Sequence, residues 1–294
     1  MLRRVKNWLR DQHAYFQIRR RFANDSGFAA MSAVLRTIFR PSKTVLFYPE
    51  FPSRDSIYFK ICATSGYAIS TNVHGSFIAI IKWENATFFD AAELQKIPRG
   101  AGRILNAGSL DISKRVVARI FAEIFGYPLE INPLEFRGKI VEKSDSNATH
   151  DGRILEGPLK PDHIRADHVY QKAIDNTSDD LALDYRVPIL GNNIPLVYLK
   201  YRPLESRFSN INSLVRLAEP AAVFSPAELE KIVSMARQMG MDCGEFDVLR
   251  DKDGRIYVVD TNNTPNGPPN GLPESDSKMA VTLLAAAFSK WVES

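Results

Sequence analysis

The stretch from Gly244 to Gly267, GEFDVLRDKDGRIYVVDTNNTPNG, constrains this chain most. Two runs of strand-forming residues flank Asp-Lys-Asp-Gly, a turn sequence, so the segment predicts a β-hairpin. Asp247 lies on the first strand, and Asp260 and Asn262 lie at the end of the second. Residues two apart on a strand share a face, so Asp260 and Asn262 project together. Hairpin pairing sets Asp247 beside them. Tyr257, Val258 and Val259 make the second strand read as buried, and a buried strand that ends in an acid must give that acid a partner. Two carboxylates and one amide oxygen form a hard oxygen set of the kind Mg²⁺ takes, with positions left for phosphate oxygens and water. The competing reading, solvated hairpin charges followed by a loop, fits the buried strand less well.

The remaining sequence fits around this hairpin as a globular α/β chain. With 45% hydrophobic and 24% charged residues among 294, disorder, collagen-like repeats and coiled coil are excluded for the bulk. No apolar run approaches the ~20 residues of a membrane span. Cys62 and Cys243 are too few for a disulfide framework and suit a reducing cytoplasm. The net charge of +4 is uneven. Residues 1–43 carry ten Lys/Arg against two acids, whereas the other 251 residues carry 28 against 32. Leu2, Val5, Leu9, Phe16 and Ile18 alternate with arginines and Lys6 in this arm, which reads as one or two basic amphipathic helices. It would lie on an anionic membrane surface, dock on a partner, or pack on its own domain. Nucleic acid is disfavoured, because the body is acidic.

Residues 44–49 and 77–81 read as buried strands. A helix follows with Asp111 as N-cap, Ile112, Val116, Ile120, Phe121 and Ile124 on one face, and Gly126 as its stop. Strands are predicted at 138–143, 168–174, 184–191 and 194–203, with Asn192 and Asn193 as the turn between the last two. Ser225, Pro226 and Glu228 spell a capping box with proline at the first helical position. That helix buries Leu229, Ile232, Val233, Ala236 and Met239. A final helix over about 277–292 carries Met279, Leu283, Leu284, Phe288 and Trp291.

The hairpin resembles the metal-binding hairpin of the ATP-grasp superfamily, whose spacing of acids, glycine, tyrosine, asparagine and proline runs from Gly244 to Pro265 without a gap. Many members carry Glu where this chain has Asp260. The resemblance covers residues 130–275 and implies an ATP-grasp fold of two α+β subdomains, residues 131–294. A small α/β pre-ATP-grasp domain, 44–130, precedes them, itself preceded by the basic helical arm, 1–43. It implies ATP and Mg²⁺ as cofactors, with Asp247, Asp260 and Asn262 on the metal. Lys143 would be the first phosphate lysine. The loop 144–152 would cover the phosphates with its N–H groups and the hydroxyls of Ser144, Ser146 and Thr149, although it has one glycine, Gly152, where most relatives have several. His150 and Asp151 would face substrate. Gln171, Lys172, Ala173 and Ile174 would form the adenine hinge, and Asp184 would hold the ribose. Arg186, Lys200, Arg202, Arg207 and Asn210, the last in Phe208-Ser209-Asn210, match the catalytic cations and asparagine of peptide-ligase-like members. Asn106 and the helix start at Asp111 to Lys114 would add to the substrate side.

The activity implied is a carboxylate–amine ligation through an acyl phosphate. The substrates would be an amine and a small-molecule or glycan-linked carboxylate, such as a cell-surface polysaccharide or lipid-linked precursor. The location would be cytoplasmic, peripheral at the inner face of the membrane. The alternatives are phosphate transfer to a non-carboxylate acceptor and a non-catalytic nucleotide-binding adaptor. Walker, dinucleotide-binding and nucleophile-elbow motifs are absent from the sequence, and its five histidines include no HExxH pair.

Overall fold

A computed structural model describes residues 43–98, 100–149, 151–208 and 211–294; the basic arm through residue 42 lies outside the described residues. A parallel four-stranded sheet comes first. Strand β1 (Thr44–Pro49) leads to helix α1 (Ile57–Ser65), then β2 (Ala68–Ser70), β3 (Ala79–Trp83) and β4 (Ile104–Leu105), in the order β2-β1-β3-β4. Helix α2 (Lys114–Phe125) links this sheet to an antiparallel three-stranded sheet of β5 (Gly138–Ser144), β6 (Arg153–Gly157) and β7 (His168–Lys172), ordered β6-β5-β7. The third sheet is antiparallel and ordered β11-β10-β9-β12-β13. It holds β9 (Leu181–Leu190), β10 (Val197–Pro203), β11 (Leu214–Ala218), β12 (Cys243–Arg250) and β13 (Ile256–Asn262), with the short β8 (Thr177–Ser178) on β9. Helices α3 (Pro220–Val223) and α4 (Pro226–Gln238) connect β11 to β12, and α5 (Glu274–Val292) closes the chain.

Local signals set most element ends. In α4 the Ser225 hydroxyl accepts the Glu228 N–H, and the Glu228 carboxylate accepts the Ser225 N–H, so the predicted capping box forms. Gly126 caps α2 at φ 84°, a backbone state that favours glycine. The start of α2 differs from expectation. Its N-cap is Ser113, whose hydroxyl accepts the Val116 N–H, while Asp111, two residues earlier, accepts the Ser113 N–H. The buried face is accordingly rotated to Val117, Ile120, Phe121 and Phe125, with Val116 and Ile124 half-buried. The strand expected at 77–81 is displaced to 79–83, and α5 begins three residues earlier than its apolar pattern. Helix α1 had no expectation. Its short 57–65 segment is apolar nearly all round and reads as a strand as easily as a helix.

Two cores cross the residue 130 boundary. Helix α2 packs with α4 under β9, β12 and β13, and Phe121 stacks on Tyr257 at 5.8 Å. Helix α5 returns to the first sheet, where Phe288 meets Tyr58 edge-on at 6.0 Å. The first sheet is riveted to β12 by Asn106, which is fully buried. Its N–H donates to Asp242 Oδ2 (2.7 Å), its Nδ2 to the Cys243 carbonyl (2.7 Å), and its Oδ1 accepts the Asp242 and Cys243 N–H groups (both 2.8 Å). Asn106 is thus a structural clamp and not part of a substrate side. Nearby, the φ +63° of Gly240 brings its Cα against the Gly108 backbone, where an added Cβ would meet Gly108 C at 2.3 Å.

Two predictions follow from these contacts. Asn106→Ala strands several buried backbone groups and puts alanine at φ 61°. It should lower unfolding stability by roughly 3 kcal/mol or more in urea titrations. Lys82 is buried over the Phe89 ring and donates to the Ser109 carbonyl; burial lowers its pKa from 10.5 to about 8. Between those values the unfolded chain holds the proton and the folded chain does not, so folding gains stability as pH rises. Wild type should gain on Lys82→Met between pH ~8 and ~10, and an unchanged difference across that window would contradict the burial of the amine.

Candidate active site

The three-stranded and six-stranded sheets face one another across a cleft of about 800 Å³ that also touches the C-terminal ends of β1 and β3. Its floor is a row of charges laid down by strand register. On β9, Asp184 and Arg186 share the cleft face. Lys200 of β10 pairs with Asp184, and Asp247 of β12 pairs with Arg186 on one side and Asp260 of β13 on the other. The i, i+2 periodicity therefore brings together residues that are up to 76 positions apart, Asp184 and Asp260.

Asp247 is the hub. Its Oδ1 lies 3.1 Å from Arg186 Nε and 3.0 Å from Lys200 Nζ, and its Oδ2 accepts Arg186 Nη2 at 3.3 Å. Burial pushes this carboxyl up, but the Arg186 and Lys200 charges outweigh it and hold Asp247 well below the usual carboxylate range. Lys200, 1% exposed, has its pKa lowered by burial against the opposing charge of Asp247. Lys143 donates to the Val259 carbonyl at 2.9 Å, and burial lowers its pKa to about 8. Asp184 accepts Arg202 Nη1 at 2.9 Å and Asn176 Nδ2 at 2.8 Å, and burial raises its pKa. Arg202 also reaches Asn212 Oδ1, while Arg207 donates to the Ile174 carbonyl (3.1 Å) and Asn176 Oδ1 (2.6 Å).

The hairpin acids stand as the sequence reading placed them. Asp247 is directly opposite Asp260, and Asn262 is two residues further along. Asp260 Oδ1 accepts the neighbouring Thr261 N–H at 3.1 Å, and Asn262 Oδ1 accepts the Thr264 N–H at 2.8 Å. Two carboxylates and an amide oxygen on one cleft face suit Mg²⁺. Arg186 and Lys200 already neutralise Asp247, so a bare cation gains little there and a cation carried with a polyanion gains much.

The loop 144–152 departs from expectation. Its Ser144, Asp145, Ser146 and Asn147 N–H groups are all engaged within the protein, by Asp151 Oδ1, the Asp167 carbonyl, Ser144 Oγ and Thr87 Oγ1. Ser144 and Ser146 do not line the cleft, whereas Thr149, Asp151 and Gly152 do. The N-terminus of α2, expected to attract a substrate anion, is filled by the protein itself: the Lys114 N–H donates to the Asp145 carbonyl and the Arg115 N–H to Asp145 Oδ1. Gln171, Lys172 and Ile174 line the cleft; Ala173 does not, and its N–H donates to the Lys139 carbonyl. His150, Ser209 and Asn210 lie outside the described residues.

Lys114, from the helix start that the sequence reading put on the substrate side, lines the cleft, is buried and donates its Nζ to the Ser146 carbonyl. Three residues in or beside the cleft escaped the sequence reading: Asn176, Asn212 and Glu245. Asn176 and Asn212 orient Asp184 and Arg202 from loops. Glu245 could have been found, since it sits two residues before Asp247 on a strand.

No sequence-family profile matches the chain, and no curated protein matches it in sequence. Solved structures do match its fold. The ATP-grasp ligase PsnB, solved with a phosphomimetic variant of its minimal precursor, Mg and ADP, aligns with 86% of this chain and 98% of its own at TM-score 0.58 and 14% identity. The D-cycloserine synthetase DcsG aligns with 85% of this chain and 100% of its own at TM-score 0.53 and 13% identity. An ATP-grasp RimK-domain protein from Sphaerobacter thermophilus DSM 20745 aligns with 85% of this chain and 100% of its own at TM-score 0.50 and 14% identity. The chain has the ATP-grasp fold.

The one glycine of the loop has a steric reason. A Cβ on Gly152 would lie 2.8 Å from the Phe208 ring, so loop 144–152 closes against the segment after β10 only with glycine there. Gly152→Ala should speed limited proteolysis within 144–152, and adding Phe208→Ala should restore the wild-type rate.

Proposed function

We propose that this chain is a Mg²⁺- and ATP-dependent ligase that activates a carboxylate as an acyl phosphate and passes the acyl group to an amine. The observation that carries the proposal is the convergence of Lys143, Arg186 and Lys200 on the Asp247–Asp260 pair in the cleft of an ATP-grasp fold. In this reading residues 44–130 supply the substrate-facing domain and residues 131–294 the nucleotide-binding body. Val141, Ile174, Leu249 and Val259 give the nucleobase an apolar slot beside the 171–174 hinge. Asp184, held by Arg202 and Asn176, keeps lone pairs for the ribose hydroxyls.

Asp247, Asp260 and Asn262 would hold Mg²⁺, which neutralises phosphate charge and orients the phosphates. Lys143, Arg186 and Lys200 are fixed donors where negative charge builds up, and they need no reorganisation because the fold already orients them. Arg202 and Arg207, set by Asn212 and Asn176, extend this field toward the cleft mouth. PsnB has been solved with a precursor peptide, so a carboxylate on a peptide or small molecule draws support from the neighbours, and a glycan-linked one draws none. No helix among the described residues is long and apolar enough to cross a membrane. A membrane role for the basic arm remains a proposal from its sequence.

The engaged N–H groups at 144–147 favour one second reading, a nucleotide-binding protein without turnover. The deciding experiment is a thermal-shift titration with ATP, ADP and GTP, with and without Mg²⁺, followed by assay of ADP release. Saturation at ~100 times Kd should add about 2.7 kcal/mol for Mg-ATP. Mg²⁺ alone should add little, because Asp247 is already neutralised. Asp260→Asn should lose most of the Mg²⁺-dependent shift and keep the wild-type melting temperature. Asp247→Asn is the poorer test: it leaves the buried Lys200 and the half-buried Arg186 without their shared carboxylate and should destabilise the free protein by roughly 3 kcal/mol. No shift with any nucleotide would overturn the proposal.

A further inference from the structure

Strand β12 orders the cleft. Its alternate residues Leu249, Asp247 and Glu245 line it in turn. Leu249 pairs with Asp184, at the end assigned above to the nucleoside. Asp247 opposes Asp260, at the phosphates. Glu245 opposes Asn262, one pleat or about 7 Å beyond Asp247 and away from the nucleoside. A group there stands past the terminal phosphate, where the acyl acceptor must enter.

Glu245 is an odd residue for that place. It is 4% exposed and sits beside cations that would otherwise serve an anion. Its Oε2 lies 3.5 Å from Arg186 Nε. Its Oε1 is buried and has no hydrogen-bond partner among the described residues. Among the described residues no three His, Cys, Asp or Glu side chains are grouped as a metal site. The backbone above it is fixed. The Ile57 N–H donates to the Pro265 carbonyl, the Gly267 N–H to the Asp55 carbonyl and Lys60 Nζ to the Gly267 carbonyl, and a Cβ on Gly267 would lie 4.0 Å from Oε1. An unpartnered carboxylate oxygen in a preformed site is costly unless a donor comes to it. A phosphate or a substrate carboxylate brings no donor and is repelled, whereas an amine brings two or three.

We propose that Glu245 receives the acyl acceptor, accepting an N–H from a primary amine and holding its nitrogen toward the acyl carbon. This rests on the ligase reading above. In the step it serves, the C–N bond forms, the acyl C–O bond to phosphate breaks with its electron pair on oxygen, and the surplus nitrogen proton leaves with the phosphate. Glu245 is a positioning and specificity residue: it selects a donor-bearing nitrogen and rejects an anion.

The test is ligand-observed NMR on the full chain with Mg-AMPPNP, using n-butylamine, N,N,N-trimethylbutylammonium and n-butanol as probes. Butylamine should bind about tenfold more tightly than either other probe, as a charge-assisted hydrogen bond predicts. Glu245→Gln should abolish the preference for butylamine over the trimethylated probe. A purely structural Glu245 would change the melting temperature and leave that ratio alone, and the wild-type comparison stands even if the variant does not fold. Equal binding of butylamine and its trimethylated analogue, or no amine binding while AMPPNP binds, overturns the inference and leaves the ligase reading intact. No binding of AMPPNP overturns both.

Discussion

Everything in the cleft depends on one carboxylate shared by two cations, Lys200 buried and Arg186 half-buried. Asp247 takes both Arg186 and Lys200 on strands that the sheet holds side by side. Setting three charges, one of them fully buried, at the centre of a sheet is tolerable only because each has a partner at hydrogen-bond distance, and removing one leaves the others uncompensated. In the proposed reading the same arrangement suits a polyanion. The cations are held in place before any ligand arrives, and their charge toward the cleft is only partly cancelled.

Rigidity on the other side comes from Asn106. Its four hydrogen bonds weld the first sheet to the chain entering β12, the strand that carries Glu245 and Asp247. Below them, Lys60 and Asp55 tie the loop after β13 to helix α1. The first sheet therefore acts as a wall of the cleft with a fixed register to β12, and α5 packs on α1 behind it. Loop 144–152 is fastened in turn to α2 through Asp145 and to Thr87 through Asn147. A glycine-rich loop would be free to wrap a phosphate. This one gives up several of its N–H groups to hold its own shape and keeps Thr149, Asp151 and Gly152 for the cleft.

Local chemistry made parts of this legible. The capping box of α4, the turn at Asp251 to Gly254 and the pairing of Asp247 with Asp260 follow from residues a few positions apart, where propensity and period decide the outcome. Arg186, Lys200 and Arg202 sit on strands and Arg207 in the loop after β10, in the chain order that the family resemblance implied for the cations. Their partners were not legible. Asn176 and Asn212 act from loops, and loops carry no period. The α2 start was misread because Asp111 and Ser113 are both good caps. The choice between them was made by packing, which rotates Val117 and Phe121 onto Tyr257.

By itself the sequence determined the hairpin, the alternation that puts acids and cations on cleft faces, and the order of the strands' chemistry along the chain. These are properties of spacing, and spacing survives without tertiary context. Only the tertiary structure decided which carboxylate meets which cation, that Asn106 is a clamp, that the α2 N-terminus is filled by Asp145, and that Glu245 keeps an oxygen without a partner among the described residues. Each of those depends on the distance between elements remote in sequence, and strand register and core packing alone fix such distances.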